Sequence, residues 1–165
     1  IREIPGSTFA VTADGEIRDW AVQVVTDLGG IPFFVADKDK TLYHAAACFA
    51  SNYLVSLMNI VVSLYGSLGL SPEEAIRAVW PLVKGTTGNI ETRGVSASLT
   101  GPIARGDAMT IRTHLRVLSD KMPEFLALYR ELGLVAIGVA LKNGTISPEK
   151  ARELDRLLKG DDRHE

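Results

Sequence analysis

"TLYHAAACFASNYLVSLMNIVVSLYG" (residues 41–66) is the stretch on which the fold turns. It lies within a longer window, Thr41 to Ser71, that contains no Asp, Glu, Lys or Arg. We read it as one long helix, from near Asp39 to about Gly69. Thirty residues of helix reach roughly 45 Å, more than the diameter expected of so small a domain. Such a helix could span a membrane, fill a core, or face a second copy of the chain. His44, Asn52, Asn59 and several serines are costly in lipid, and the many alanines supply little hydrophobic drive. The helices that follow could cover part of so long a rod but hardly all of it. A two-fold mate would bury the remaining apolar face. The expectation is therefore a homodimer built on this helix, and no membrane span.

The polar residues of the helix are ordered. At 100° per residue, Asn52, Ser56, Asn59 and Ser63 fall within about 40° of one another. Cys48 extends the stripe towards the N-terminus and His44 lies at its edge. Buried amides and hydroxyls need hydrogen-bond partners, so the stripe either fixes helix packing or serves a ligand. Packing is the reading for Asn59 and Ser63. For His44 and Asn52, close to the helix start, the functional reading stands beside it. An imidazole there could act as general acid or base near neutral pH. Asn52 could orient a substrate carbonyl or carboxylate.

The rest of the chain of 165 residues suits one ordinary domain with a core. An apolar fraction of 46%, a charged fraction of 23% and a net charge of −2 offer no basic patch, so no nucleic acid is expected. The single cysteine, Cys48, excludes an internal disulfide and a cysteine-rich zinc site, and three scattered histidines make no metal centre. A reducing, cytoplasmic setting is expected. "IREIPGSTFAV" (1–11) lacks the basic-then-apolar start of a signal peptide and an initiator Met, which suggests a fragment or processed product.

Upstream of the long helix, "STFAVTAD" (7–14) reads as a strand. A helical pattern with Ile17, Trp20, Ala21, Val24 and Leu28 follows, stopped by Gly29-Gly30. "IPFFVA" (31–36) reads as a second strand, continuously apolar and so buried. Strand, helix, strand predicts a βαβ unit with parallel strands, which needs something more to complete its sheet. We divide the chain at residues 1–38, this unit, and 39–160, all helical, with a frayed tail at 161–165. Downstream, Ser71-Pro72-Glu73-Glu74 opens a helix with a capping box. "VKGTTGNIETRGVSASLTGPIARGD" (83–107) is rich in Gly, Ser and Thr and predicts a helix end and a loop. Asp107 caps a helix carrying Ile111, Leu115 and Leu118. Met122-Pro123 starts another, with Tyr129 and Leu132 on it, ended by Asn143-Gly144. Ser147-Pro148 caps the last, with Ala151, Leu154 and Leu158.

"KTLYHAAACFASNYL" (40–54) and "LTGPIARGD" (99–107), followed by His114-Leu115 and "YRELG" (129–133), carry a resemblance. The chain resembles the C-terminal half of a family of Rossmann-like, NADP-dependent oxidoreductases that ends in domain of unknown function 2520. That family is similar to pyrroline-5-carboxylate reductase and to the 6-phosphogluconate dehydrogenase C-terminal-like superfamily. The resemblance implies a mainly α fold: a βαβ remnant of a Rossmann-type sheet, then a helical bundle that dimerises and supplies one wall of an active site. It implies NADP or NAD, held mainly by a domain absent from this chain. No Gly-x-Gly-x-x-Gly follows a strand here, and "GTTGNIETRG" (85–94) is not that fingerprint. Relatives among the 3-hydroxyacid dehydrogenases carry Lys-x-x-x-Asn on the long helix. Here Asn52 can take the Asn place, but Cys48 stands where the Lys would be.

The expected site residues follow. His44 and Asn52 are the catalytic candidates. Ser51, Ser56, Lys84, Thr100 and Arg105 are the substrate-binding candidates. Thr100 and Arg105 sit in "LTGPIARGD", read either as a tight connection whose Asp107 caps the next helix or as a loop closing over a carboxylate or phosphate. Lys84 either contacts an anion or complements a helix C-terminus. His114 reads as a surface or interface residue, and Cys48 as a small buried hydrophobe. The function expected is the dimerisation and substrate domain of an oxidoreductase of a small carbonyl, imine or hydroxy acid. A non-catalytic helical dimerisation or small-ligand module is the alternative.

Overall fold

The computed structural model describes residues 4–160; the tail expected to fray, 161–165, lies outside them. The chain is mainly helical, with a two-stranded parallel sheet at its N-terminal end followed by a helical bundle. It divides into two compact units between Asn59 and Ile60.

The first unit opens with the expected βαβ motif: β1 (Thr8–Val11), α1 (Gly15–Asp27) and β2 (Ile31–Phe34). The strands pair in parallel, Thr8 opposite Ile31 through Val11 opposite Phe34. Val11 and Val25 are buried where helix meets sheet. The expectation of a buried β2 fails. Ile31 and Phe34 are about half exposed, because two strands and one helix cover one side of a sheet only. The outward face of α1 is equally bare, with Ile17 and Trp20 exposed. A single 3₁₀ turn, Asp37–Asp39, then delivers the chain into α2 (Lys40–Ala50).

The long helix is present but not straight. α2 and α3 (Asn52–Gly66) are separated at Ser51, whose backbone turns to φ −117°, ψ −66°. The hydrogen-bond ladder continues across the break, from the Ser51 amide to Ala47 and from the Val55 amide to Ser51. Ser51 and Asn52 are residue types that weaken a helix interior, and the bend falls on them. No residue of α2 or α3 is buried within the described chain. Leu42, Phe49 and Val55 are each about 70% exposed. The run Asp37–Gly66 is long and apolar enough to cross a bilayer, a test that core helices of soluble proteins also pass.

The second unit holds the core. α4 (Pro72–Ser98) starts as the sequence requires: Ser71 accepts from the Glu74 amide at 3.3 Å, and the Glu74 carboxylate accepts from the Ser71 amide at 2.8 Å. It then runs through residues 83–93, where a loop was expected. The Thr87 and Thr92 hydroxyls donate back to the carbonyls of Val83 and Gly88, so these residues satisfy themselves inside the helix. The break comes only at Gly94, at φ +78°, a backbone conformation that suits glycine. α5 (Gly101–Ala104) is one turn. α6 (Ala108–Lys121), α7 (Leu126–Lys142) and α8 (Pro148–Lys159) follow. Asp107 caps α6 by accepting from the Thr110 amide at 3.0 Å, and Ser147 caps α8 by accepting from the Lys150 amide at 3.3 Å. Ile111, Ile137, Ile146, Leu154, Leu157 and Leu158 form the cluster these helices enclose. Gly133 lets α7 and α8 approach closely: a β-carbon there would stand 2.8 Å from the Leu158 side chain.

Candidate functional site

In the first unit the in-register parallel pairing brings the carboxyl ends of β1 and β2 level. The Thr12 hydroxyl donates to the Val35 carbonyl at 2.6 Å and ties the two exits together. Beyond them opens a cavity of about 500 Å³, walled by residues 11–14 and 34–37 and by Arg18. The carboxyl ends of strands are where open parallel sheets receive ligands. The Arg18 guanidinium lies 3.5 Å from the centre of the Phe34 ring, a cation held over an aromatic face. Asp37 pairs with Lys40 at 2.9 Å. The hydrogen bond from Lys40, and then its charge, hold the Asp37 carboxyl below the usual range. A neighbouring hollow of about 310 Å³ shares Phe34, Val35 and Ala36 and adds Leu42, Tyr43 and Ala46 of α2.

His44 lines neither hollow. On a helix it falls roughly 160–200° from Leu42 and Ala46, so the face turned to the strand ends presents Tyr43 instead. The expected stripe does exist as a row. The His44 Nε2 and Cys48 Sγ atoms are 3.8 Å apart, and the Asn52 side-chain amide donates to the same sulfur at 3.9 Å. The Ser56 hydroxyl donates to the Asn52 carbonyl at 3.2 Å. Asn59 and Ser63 are engaged as well. His44, Ser51, Asn52 and Ser56 are exposed, and Cys48 is half-buried. The row therefore bonds along its own helix, with weak sulfur contacts at its centre.

In the second unit Lys84 stands mid-way along α4, exposed, and so does not complement the helix end that was expected there. Arg105 is exposed just after α5. Asp107 is held below the usual carboxylate range by the Thr110 hydroxyl and amide, and then by the positive charge of Arg105. The capping reading of "LTGPIARGD" is thus realised. Thr100, in contrast, faces a hollow of about 370 Å³ between α5, α6 and α7, which His114 and Tyr129 also line. His114 Nδ1 and the Tyr129 hydroxyl are 2.9 Å apart, with the rings edge to face. Sequence reasoning missed this pair. Fifteen residues separate its members, and nothing local joins them. Both residues stand in segments that carry the resemblance, and Tyr129 places a phenol on α7, but neither signal pairs them.

A dinucleotide does not fit the βαβ unit as it stands. Asp14 occupies the N-cap of α1, placing an anion where a diphosphate would meet the helix N-terminus. Among the described residues no group of three or more His, Cys, Asp or Glu gathers to hold a metal ion.

No curated protein matches the sequence significantly. Among solved structures the chain is similar to protein TM1727 from Thermotoga maritima, at a TM-score of 0.73 and 30% sequence identity, over 82% of this chain. The chain spans about half of that protein, 53% of its length. The model of the family described as Domain of unknown function (DUF2520) matches residues 7–136. Strand, crossover helix, strand, the α2–α3 rod and the "LTGPIARGD" turn all fall inside that span, and the chain belongs to the DUF2520 family.

Proposed function

We propose that the chain is the dimerisation and substrate-side domain of an NAD(P)-dependent oxidoreductase acting on a small carbonyl, imine or hydroxy acid. One observation carries the reading. A parallel βαβ unit ends in an open cavity at its strand carboxyl ends, while Ile17, Trp20, Ile31 and Phe34 around it remain uncovered. Two parallel strands are too few to be stable alone, so such a unit fits the edge of a larger nucleotide-binding sheet. The resemblance of residues 40–54 and 99–107 to the oxidoreductase family supports the same reading. NADP or NAD would be held by that larger sheet, with the strand-end cavity receiving the reacting end of the substrate. His44 and Asn52 remain the catalytic candidates, with Ser51, Ser56, Lys84, Thr100 and Arg105 as the binding candidates. The row of His44, Cys48 and Asn52 would meet substrate only if another part of the protein closes over it.

The uncovered apolar faces of α2 and α3 support a homodimer. A contiguous apolar surface of this kind on a water-soluble protein marks an interaction site. The polar residues spread along the run argue against lipid as its neighbour.

The test is NADPH titration of the full-length protein. Binding at micromolar cofactor, with activity lost in His44→Ala or Asn52→Ala at an unchanged melting temperature, is the expected result. Absence of binding at millimolar cofactor overturns the reading. The alternative, a non-catalytic helical dimerisation or small-ligand module, is favoured by one feature: His44 and Asn52 are exposed and neither lines the hollows at the strand ends. It predicts that the same two substitutions change stability and no activity.

A further inference from the structure

The hollow between α5, α6 and α7 lies wholly within the second unit. Its walls are apolar, set by Ile103, Ile111, Leu132 and Ala136, and its polar groups are Thr100, His114 and Tyr129. That composition, an apolar lining with a few convergent polar atoms, is the usual make-up of a small-molecule site. The polar atoms are also organised. Tyr129 is half-buried and its burial pushes the phenol above its ordinary pKa, so it keeps its proton at neutral pH. Its hydroxyl is 2.9 Å from His114 Nδ1, and this contact sets which way each proton points. Where Nδ1 carries no proton, the hydroxyl donates to it and presents only lone pairs to the hollow. Where Nδ1 carries a proton, in the neutral Nδ1–H tautomer or in the imidazolium, Nδ1–H donates to the phenol oxygen and the phenol proton is free to donate into the hollow.

We propose that this hollow binds a small monocarboxylate with a branched apolar body, its carboxylate accepting from the Tyr129 hydroxyl with His114 protonated behind it. The bound carboxylate adds to the charge of Asp107, which already interacts with His114, in holding the imidazolium, and the imidazolium makes the hydroxyl a charge-assisted donor. The apolar body lies against Ile103, Ile111 and Leu132. A neutral analogue gains the same apolar contact without drawing a proton onto His114. The site uses no residue of the strand-end cavity and no cofactor, and it shares only Thr100 with the binding candidates of the oxidoreductase reading.

The experiment is a titration of the full chain with 4-methylpentanoate, followed by the NMR signals of the His114 and Tyr129 rings. Binding should shift both rings and move His114 towards its protonated spectrum. The affinity should exceed that for 4-methylpentanamide by about tenfold, the size of one charge-assisted hydrogen bond. Tyr129→Phe removes one oxygen and should cost about the same factor. Ala136→Leu fills the hollow and should abolish binding while the circular dichroism spectrum stays that of wild type. Equal affinity for acid and amide overturns the proposal, as does saturation without movement of either ring or unchanged binding to Ala136→Leu. No binding up to ~20 mM, an affinity weaker than about −2.3 kcal/mol, overturns it too. A change of oligomeric state in Ala136→Leu without ligand binding would assign the hollow to a second copy of the chain and overturn it equally.

Discussion

The rings of Phe33 and Tyr43 meet edge to face with centroids 5.6 Å apart. Phe33 belongs to β2 and Tyr43 to the first turn of α2, so this contact sets the start of α2 against the sheet it leaves. Edge-to-face pairs contribute about 0.5–1.5 kcal/mol beyond the area they bury. Tyr43 is over 40% exposed, which places this pair towards the lower end. A double-mutant cycle of Phe33→Leu and Tyr43→Leu, read by urea unfolding, should give a coupling of about 0.5 kcal/mol. Additivity of the two substitutions would mean that the ring contact does not hold α2 in place.

Two glycines of α7 should respond in opposite directions to alanine. At Gly133 the new methyl would stand 2.8 Å from Leu158, buried in the core, and the helices must shift to admit it. Overpacking of this kind costs about 1–3 kcal/mol. At Gly138 a β-carbon meets nothing within 4 Å. There alanine should stabilise by about 0.5–1 kcal/mol through lower backbone entropy in the unfolded chain. Chemical denaturation of the two variants should therefore bracket the wild type. A destabilised Gly138→Ala would show that another surface packs on this side of α7.

The capping box of α4 makes a prediction in pH. The Ser71 amide, and then its hydroxyl, hold the Glu74 carboxyl below the usual glutamate range. A depressed folded pKa contributes stability that is present above the unfolded value and is lost as pH falls through the folded one. Glu74→Gln removes the titration. The stability difference between wild type and Glu74→Gln should be steady near neutral pH and shrink on acidification below about pH 4.3, the ordinary glutamate value. A constant difference down to pH 3, about one unit lower, would show that the carboxylate is not stabilised by its cap.

The rod offers a test of association. Val55 is 69% exposed on α3. If a second copy covers this face, Val55→Asp buries an unpaired carboxylate at the interface, a loss of several kcal/mol. Sedimentation at micromolar concentration should then show a dimer for wild type and a monomer for the variant. A wild-type monomer removes the dimer reading. Flotation of the protein with neutral lipid vesicles would assign the apolar face to a bilayer instead.

What the sequence determined by itself is local. Ser71 with Glu74, Asp107 with Thr110 and Ser147 with Lys150 are partners three residues apart, so their hydrogen bonds are written in the spacing. The βαβ order and its parallel pairing follow from chain length and handedness. Tertiary structure decided the rest. Glycine and threonine at 85–92 favour a loop by propensity, yet the segment continues α4, whose Ala75 and Val79 are buried in the second unit. A continuous apolar β2 implied burial, but burial depends on how many neighbours a strand has, and here it has one strand, the crossover helix and only the first turn of α2. His44 near a strand end in sequence is not His44 at a strand-end cavity, because a helix turns 100° per residue and shows Tyr43 there. The meeting of His114 with Tyr129 needed α6 and α7 packed side by side, and no periodicity along one helix reports its register against another.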